Sequence, residues 1–145
     1  MFKINKKIEY SLMVLKHFYQ EIPAEIASAR QICDAYHTPF DSTSKVMQIM
    51  SSAGILKSEQ GVSGGYKLNT DLSKLTYLSL AELIEGRSFS HSCQELRCSL
   101  IESCNITGPV SKLNSYLNTF FKTLTIKELL EDSPMEIIQK SVSEA

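Results

Sequence analysis

Cys93, Cys98 and Cys104 fall within the stretch CQELRCSLIESC, in a chain of 145 residues whose one other cysteine is Cys33. Thiolates are soft, charged donors that suit zinc and iron–sulfur clusters, and three in one short segment can converge on a single centre. The same three can work without metal, as a thiol switch that forms a disulfide. Their spacing, C-x4-C-x5-C, lacks the paired C-x2-C of a structural zinc knuckle. A chain of this length buries a core without disulfide staples, so rivets are not required of them. Lys6, Lys7, Glu9 and Lys16 interrupt the N-terminal region, which offers neither a signal-peptide apolar core nor a spanning segment. A cytoplasmic protein with no membrane partner is expected, and in that reducing compartment clustered cysteines point to metal or redox chemistry.

A second group of residues suits nucleic acid. Ser42, Thr43, Ser44, Lys45 and Gln48 bring short polar side chains, a cation and an amide to one stretch, the chemistry that meets base edges and phosphates in a major groove. Ser63, Gly64 and Gly65 allow a backbone to approach a minor groove closely, and Arg30, Lys57 and Lys67 can neutralise phosphates. A solvated helix face and a plain hairpin account for the same residues without DNA, although a turn alone does not call for three glycines between Gly61 and Gly65. The net charge is −1, but residues 1–69 carry eight Lys and Arg against six Asp and Glu, while residues 70–145 carry seven against ten. The N-terminal part is the better suited to phosphate. An enzyme is not expected: no nucleophile is paired with a base, and no phosphate-binding loop precedes a helix.

The elements that must position these groups follow from periodicity. Ile8, Leu12, Leu15 and Tyr19 recur at helical spacing behind Asn5, a cap residue, and predict a first helix. After Pro23, Ser28 and Gln31 form a capping box for a short helix carrying Ile32, Cys33 and Tyr36, which stops near Pro39. A third helix is expected from Asp41 or Ser42, with Val46, Ile49, Met50 and Ala53 inward and Gly54 at its end. Two short helices joined by a tight turn, the second opening on polar residues, make a helix-turn-helix pattern. GILKSEQGVSGGYKLN then reads as strand, turn, strand, with Gly61, Gly64 and Gly65 at positive φ and Tyr66 and Leu68 alternating outward; such a hairpin is a wing.

Farther on, LSLAELIEG predicts a fourth helix with Leu80, Leu83 and Ile84 on one side, and the cysteine stretch a loop. Val110, Leu113, Leu117, Phe120, Phe121 and Leu124 form a long apolar stripe that Gly108 and Pro109 set apart, so the matching helix of a second subunit is its expected partner. TIKELLED starts a last short helix, and residues 141–145 are expected to fray. The expected fold class is mainly α with a small β-hairpin wing: a winged helix-turn-helix over residues 1–86, a cysteine-containing loop over 87–109, and a dimerisation helix with its tail over 110–145.

With these landmarks the chain resembles the Rrf2 family of winged-helix transcription regulators, including its IscR-like and NsrR-like iron–sulfur members. The resemblance runs nearly end to end through KINKKIEYSL, GVSGGYKL, LSLAELIEG, the three cysteines and LTIKELL. It implies a homodimer crossing its C-terminal helices on a partly palindromic double-stranded DNA operator. It also implies an iron–sulfur cluster, 2Fe-2S ahead of 4Fe-4S, near the junction of the two halves, so that redox state, nitric oxide or iron supply would control binding. The cysteine spacing is closer to the NsrR arrangement than to the C-x5-C-x5-C-x2-H of IscR, whose histidine position is Thr107 here. In part of the family an acidic residue near the start of helix one of the other subunit completes the site, and Glu9 falls there; His37 and His91 are the next candidates. A zinc site or a cluster-free thiol sensor remains the alternative, and Cys33, on the inner face of the second helix, is expected in the core.

Overall fold

In a computed structural model of the chain, which describes residues 3–20, 25–89 and 97–131, the first helix starts where the cap residue places it. Asn5 Oδ1 accepts the Lys7 backbone N–H at 2.9 Å, and α1 (Lys6–Gln20) buries Ile8, Ser11, Val14, Leu15 and Phe18 along one stripe. Ser11 sits in that stripe at little cost because its hydroxyl donates to the Ile8 carbonyl at 2.7 Å. The expected break at Pro23, His91, Cys93 and the expected frayed tail lie outside the described residues.

α2 (Ala29–Tyr36) opens on the capping box, with Ser28 Oγ accepting from the Gln31 N–H and the Gln31 side chain accepting from the Ser28 N–H. It ends at His37, which takes the left-handed conformation at φ 55°. Ile32 and Cys33 are buried, whereas Tyr36 is exposed and bonds to His17 Nδ1 through its hydroxyl at 2.9 Å. α3 (Phe40–Ser52) starts one residue before the expected opening, because Pro39 occupies the N-cap in an extended conformation that suits a proline. Val46, Met47 and Met50 are buried and Ile49 partly so, but Ala53 is exposed at the C-cap, just before Gly54 at φ 79° ends the helix.

β1 (Leu56–Glu59) and β2 (Gly65–Leu68) pair antiparallel in the register Leu56↔Leu68, Lys57↔Lys67, Ser58↔Tyr66 and Glu59↔Gly65. The other edge of β2 is taken by Ala27, which exchanges two backbone hydrogen bonds of 2.9 Å with Tyr66. The wing is thereby tied to the segment leading into α2. Two expectations change here. Of the three wing glycines, Gly61 alone adopts a positive φ, 115°. Tyr66 and Leu68 lean on the core instead of pointing outward. Gly64 and Gly65 are needed for a different reason: a Cβ on Gly64 would lie 2.5 Å from the Glu59 carbonyl oxygen, and one on Gly65 would lie 2.7 Å from the Ala27 carbonyl. Gly65→Ala is therefore expected to lower stability by about 1–3 kcal/mol, as overpacking against backbone does. Urea denaturation measures this, and an unchanged midpoint would show that the Ala27 segment yields freely.

α4 (Tyr77–Glu85) is capped by Thr76 and stopped by Gly86 at φ 66°, and buries Tyr77, Leu80, Ala81 and Ile84. α5 (Thr107–Thr123) includes Gly108 and Pro109 in its first turn, where a proline costs no hydrogen bond because the first N–H groups of a helix have no partner within it. None of its residues, all described, is buried. Its inner side rests on α4 through Phe121, whose ring is 5.0 Å from that of Tyr77.

The chain then turns back: the Tyr77 N–H donates to the Leu124 carbonyl at 2.8 Å, and the Ile126 N–H to the Leu75 carbonyl at 2.7 Å. α6 (Ile126–Leu130) so brings Ile126 and Leu130, with Leu124, into the same core as α1, α3 and α4. Lys16 Nζ donating to the Leu130 carbonyl at 2.8 Å holds this end against α1. The architecture is mainly helical, a winged helix-turn-helix with a small β-hairpin wing and a long C-terminal helix that packs on α4. No helix among the described residues is long and apolar enough to cross a membrane.

Candidate functional site

Two regions gather the residues singled out by their chemistry. The first is the outer face of α3 with the wing beside it. Lys45 and Gln48 are exposed one turn apart, with Asp41 exposed a turn before Lys45. Ser42 and Ser44 are half-buried, and Ser44 Oγ is turned onto the Asp41 carbonyl at 3.3 Å. Thr43 is a correction. It is fully buried, its hydroxyl donating to Thr38 Oγ1 at 2.8 Å, and it cannot reach DNA. Its place follows from the helix itself, since Thr43 shares one stripe with the buried Val46, Met47 and Met50.

Arg30, exposed on α2, lies with its guanidinium 4.5 Å above the Phe40 ring. Phe40 belongs to this face although no helical period marks it. The signal available was an aromatic residue outside every apolar stripe, directly after Pro39. In the wing, Lys57 is exposed, whereas Lys67 Nζ meets Glu59 Oε1 at 2.7 Å and holds that carboxyl below its ordinary range. Ser63 is exposed at the tip beside Val62. Gly64 fits against the hairpin turn and Gly65 against the Ala27 segment, contacts that call for glycine without reference to DNA.

The second region is the stretch between α4 and α5. The chain leaves α4 under the Glu82 carboxylate, which accepts from Ser88 Oγ and from the Phe89 N–H, both at 3.1 Å. Residues 97–106 form successive turns, with the Ile101 N–H on the Cys98 carbonyl at 3.3 Å and the Ser103 N–H on the Leu100 carbonyl at 3.1 Å. Cys98 is exposed and Cys104 half-buried, and both are free thiols, as is the buried Cys33.

Cys104 lies two residues before Ile106, the N-cap of α5. The Thr107 hydroxyl, followed by the Ile106 backbone N–H, holds the Cys104 thiol below its ordinary range against a smaller opposing effect of burial. The Thr107 hydroxyl oxygen is itself buried and has no hydrogen-bond partner within the distance of a formed bond among the described residues. Donors aimed at a sulfur at a helix N-terminus favour the thiolate, the form that attacks oxidants and binds metal.

Glu9 is half-buried in the first turn of α1, paired with Lys6 Nζ at 2.6 Å. His37 is exposed at the end of α2. Among the described residues no three His, Cys, Asp or Glu side chains converge on one point, so within a single chain neither joins Cys98 and Cys104.

A family model described as Rrf2, iron-dependent transcriptional regulator, matches residues 4–132. Protein aau3 of Rhizobium meliloti (strain 1021) is 24% identical over 138 residues, covering 91% of this chain and 87% of that protein. The oxidised form of Staphylococcus aureus CymR has the same fold, with a TM-score of 0.69 at 17% identity over 92% of this chain and 100% of its own. IscR of T. potens has it too, with a TM-score of 0.62 at 18% identity over 90% and 88%.

Proposed function

Since the chain belongs to the Rrf2 family of transcriptional regulators and carries its DNA-binding winged helix-turn-helix, we propose that it grips its operator as a homodimer and that the cysteine segment sets the affinity by thiol oxidation. The observation that carries this reading is the Cys104 thiol, held low by Thr107 and by N–H groups at the start of the helix with the exposed apolar face. A peroxide is the oxidant that suits it. The Cys104 thiolate takes one oxygen as a sulfenic acid while hydroxide or alkoxide leaves, and a second thiol, Cys98 or Cys93, then displaces water to close a disulfide. Such a bond draws the turn segment together directly ahead of α5 and so bears on the angle at which two subunits present their α3 helices. A ligand or modification moves such an equilibrium only through a different free energy in the two arrangements, and a covalent tie across the segment supplies one.

A second reading is supported by the likeness to IscR and by the donor chemistry. Cys93, Cys98 and Cys104 would hold an iron–sulfur cluster, with Glu9 of a second subunit as the fourth ligand and His37 or His91 next. The described donors fit, because Cys104 is biased to the thiolate that such a centre needs. Bound there, a cluster would supply a redox centre whose charge and integrity respond to oxidant. Protein purified without oxygen separates the two readings. A colourless protein whose operator affinity changes with peroxide and returns with dithiothreitol supports the thiol switch, whereas visible absorption bands with matched iron and sulfide support the cluster. Affinity indifferent to peroxide, in protein free of metal, would overturn both.

A further inference from the structure

Phe40 exposes 41% of its surface at the first position of α3, packs into no part of the core, and touches one charged group, the Arg30 guanidinium 4.5 Å above its ring. Tyr36, the other exposed aromatic nearby, is accounted for by its hydrogen bond to His17, whereas among the described residues the Phe40 ring is engaged by Arg30, itself exposed. Resting on the DNA-binding reading above, we propose that Phe40 reads sequence: its open ring edge meets the C5-methyl of a thymine in the major groove, while Arg30 holds the ring and a flanking phosphate.

Three features carry this. Among bases in the major groove thymine alone offers an apolar group, and aromatic and small apolar side chains are its partners. Asp41, exposed in the same turn, is repelled by phosphate and matches the amino group of a cytosine, so the first turn of α3 suits base edges better than backbone. The Arg30 guanidinium carbon sits over the Phe40 ring, and a guanidinium engaged through its carbon centre keeps N–H donors at its rim that can take a phosphate oxygen.

The probe is a duplex selected by the protein from a randomised pool, then resynthesised with deoxyuridine in place of each thymine in turn, which removes one methyl and nothing else. The wild-type chain is expected to lose about fourfold in affinity at one thymine per half-site, the value of one buried carbon. Phe40→Ala should show no loss at that position, and Phe40→Leu should recover part of it, while all three remain folded because the side chain is outside the core. If Phe40→Ala loses as much as wild type at every thymine, the inference is overturned although the protein still binds DNA. If no sequence is selected at all, the DNA-binding reading falls and this one with it.

Discussion

Cys104→Ser is expected to abolish the response of operator affinity to peroxide, leaving an affinity that is the same in oxidised and reduced preparations. The serine hydroxyl keeps nearly the shape of the thiol but titrates far outside the physiological range and forms neither a sulfenic acid nor a disulfide. Cys33→Ser should leave the response in place, since that thiol is buried on α2 away from oxidant. Thr107→Val tests the cause. It keeps the side-chain volume but removes the hydroxyl that contributes most to holding the Cys104 thiol low, so the thiol should rise toward its ordinary range. Each unit of rise takes away about tenfold of the thiolate at neutral pH. The alkylation rate of Cys104 by iodoacetamide, followed by mass spectrometry as a function of pH, should accordingly shift its midpoint upward in Thr107→Val. Equal midpoints in the two proteins would mean that Thr107 does not activate the sulfur.

Leu113→Glu combined with Leu117→Glu is expected to leave a monomer that binds a palindromic operator about 100-fold more weakly, or worse. Leu113, Tyr116 and Leu117 are 57%, 61% and 40% exposed within about two turns of α5, a contiguous apolar face on a helix with no buried residue. Two such faces pairing remove that surface from water, and the two carboxylates that each helix would bring to the seam would have to be desolvated without partners. Linking two reading heads on one DNA raises affinity by about 10² to 10⁴ through effective concentration alone, and a monomer forfeits that gain. Light scattering and titration against a whole operator and a half-site measure the two effects separately. Because the substituted side chains are outside the core, thermal unfolding of the winged unit should change little. A double variant that stays dimeric would show that another surface makes the dimer.

Much of the fold was legible because its signals are local. Asn5 ahead of α1, Ser28 with Gln31 and Gly54 after α3 mark helix ends through groups a few residues apart, and the stripe from Ile8 to Leu15 follows from 3.6 residues per turn. The apolar stripe on α5 was legible as a stripe, but it divides: Leu113 and Leu117 are exposed, whereas Phe120, Phe121 and Leu124 pack on the core of the same chain. What the tertiary structure decided depends on contacts that no single element's period states. Thr43 passed for a DNA contact because a hydroxyl suits either side of a helix, and Thr38, across the turn from α2, supplies the partner that lets it be buried. The sequence offered a groove-approaching loop as a use for the wing glycines, and the packed structure adds another, the Ala27 segment lying against Gly65. The return of α6 onto α4 rests on hydrogen bonds such as those from the Tyr77 N–H to the Leu124 carbonyl and from the Ile126 N–H to the Leu75 carbonyl, between backbone groups that every residue carries alike. Local rules state which way a side chain faces on its own element; which distant group it meets there is settled only when the elements pack.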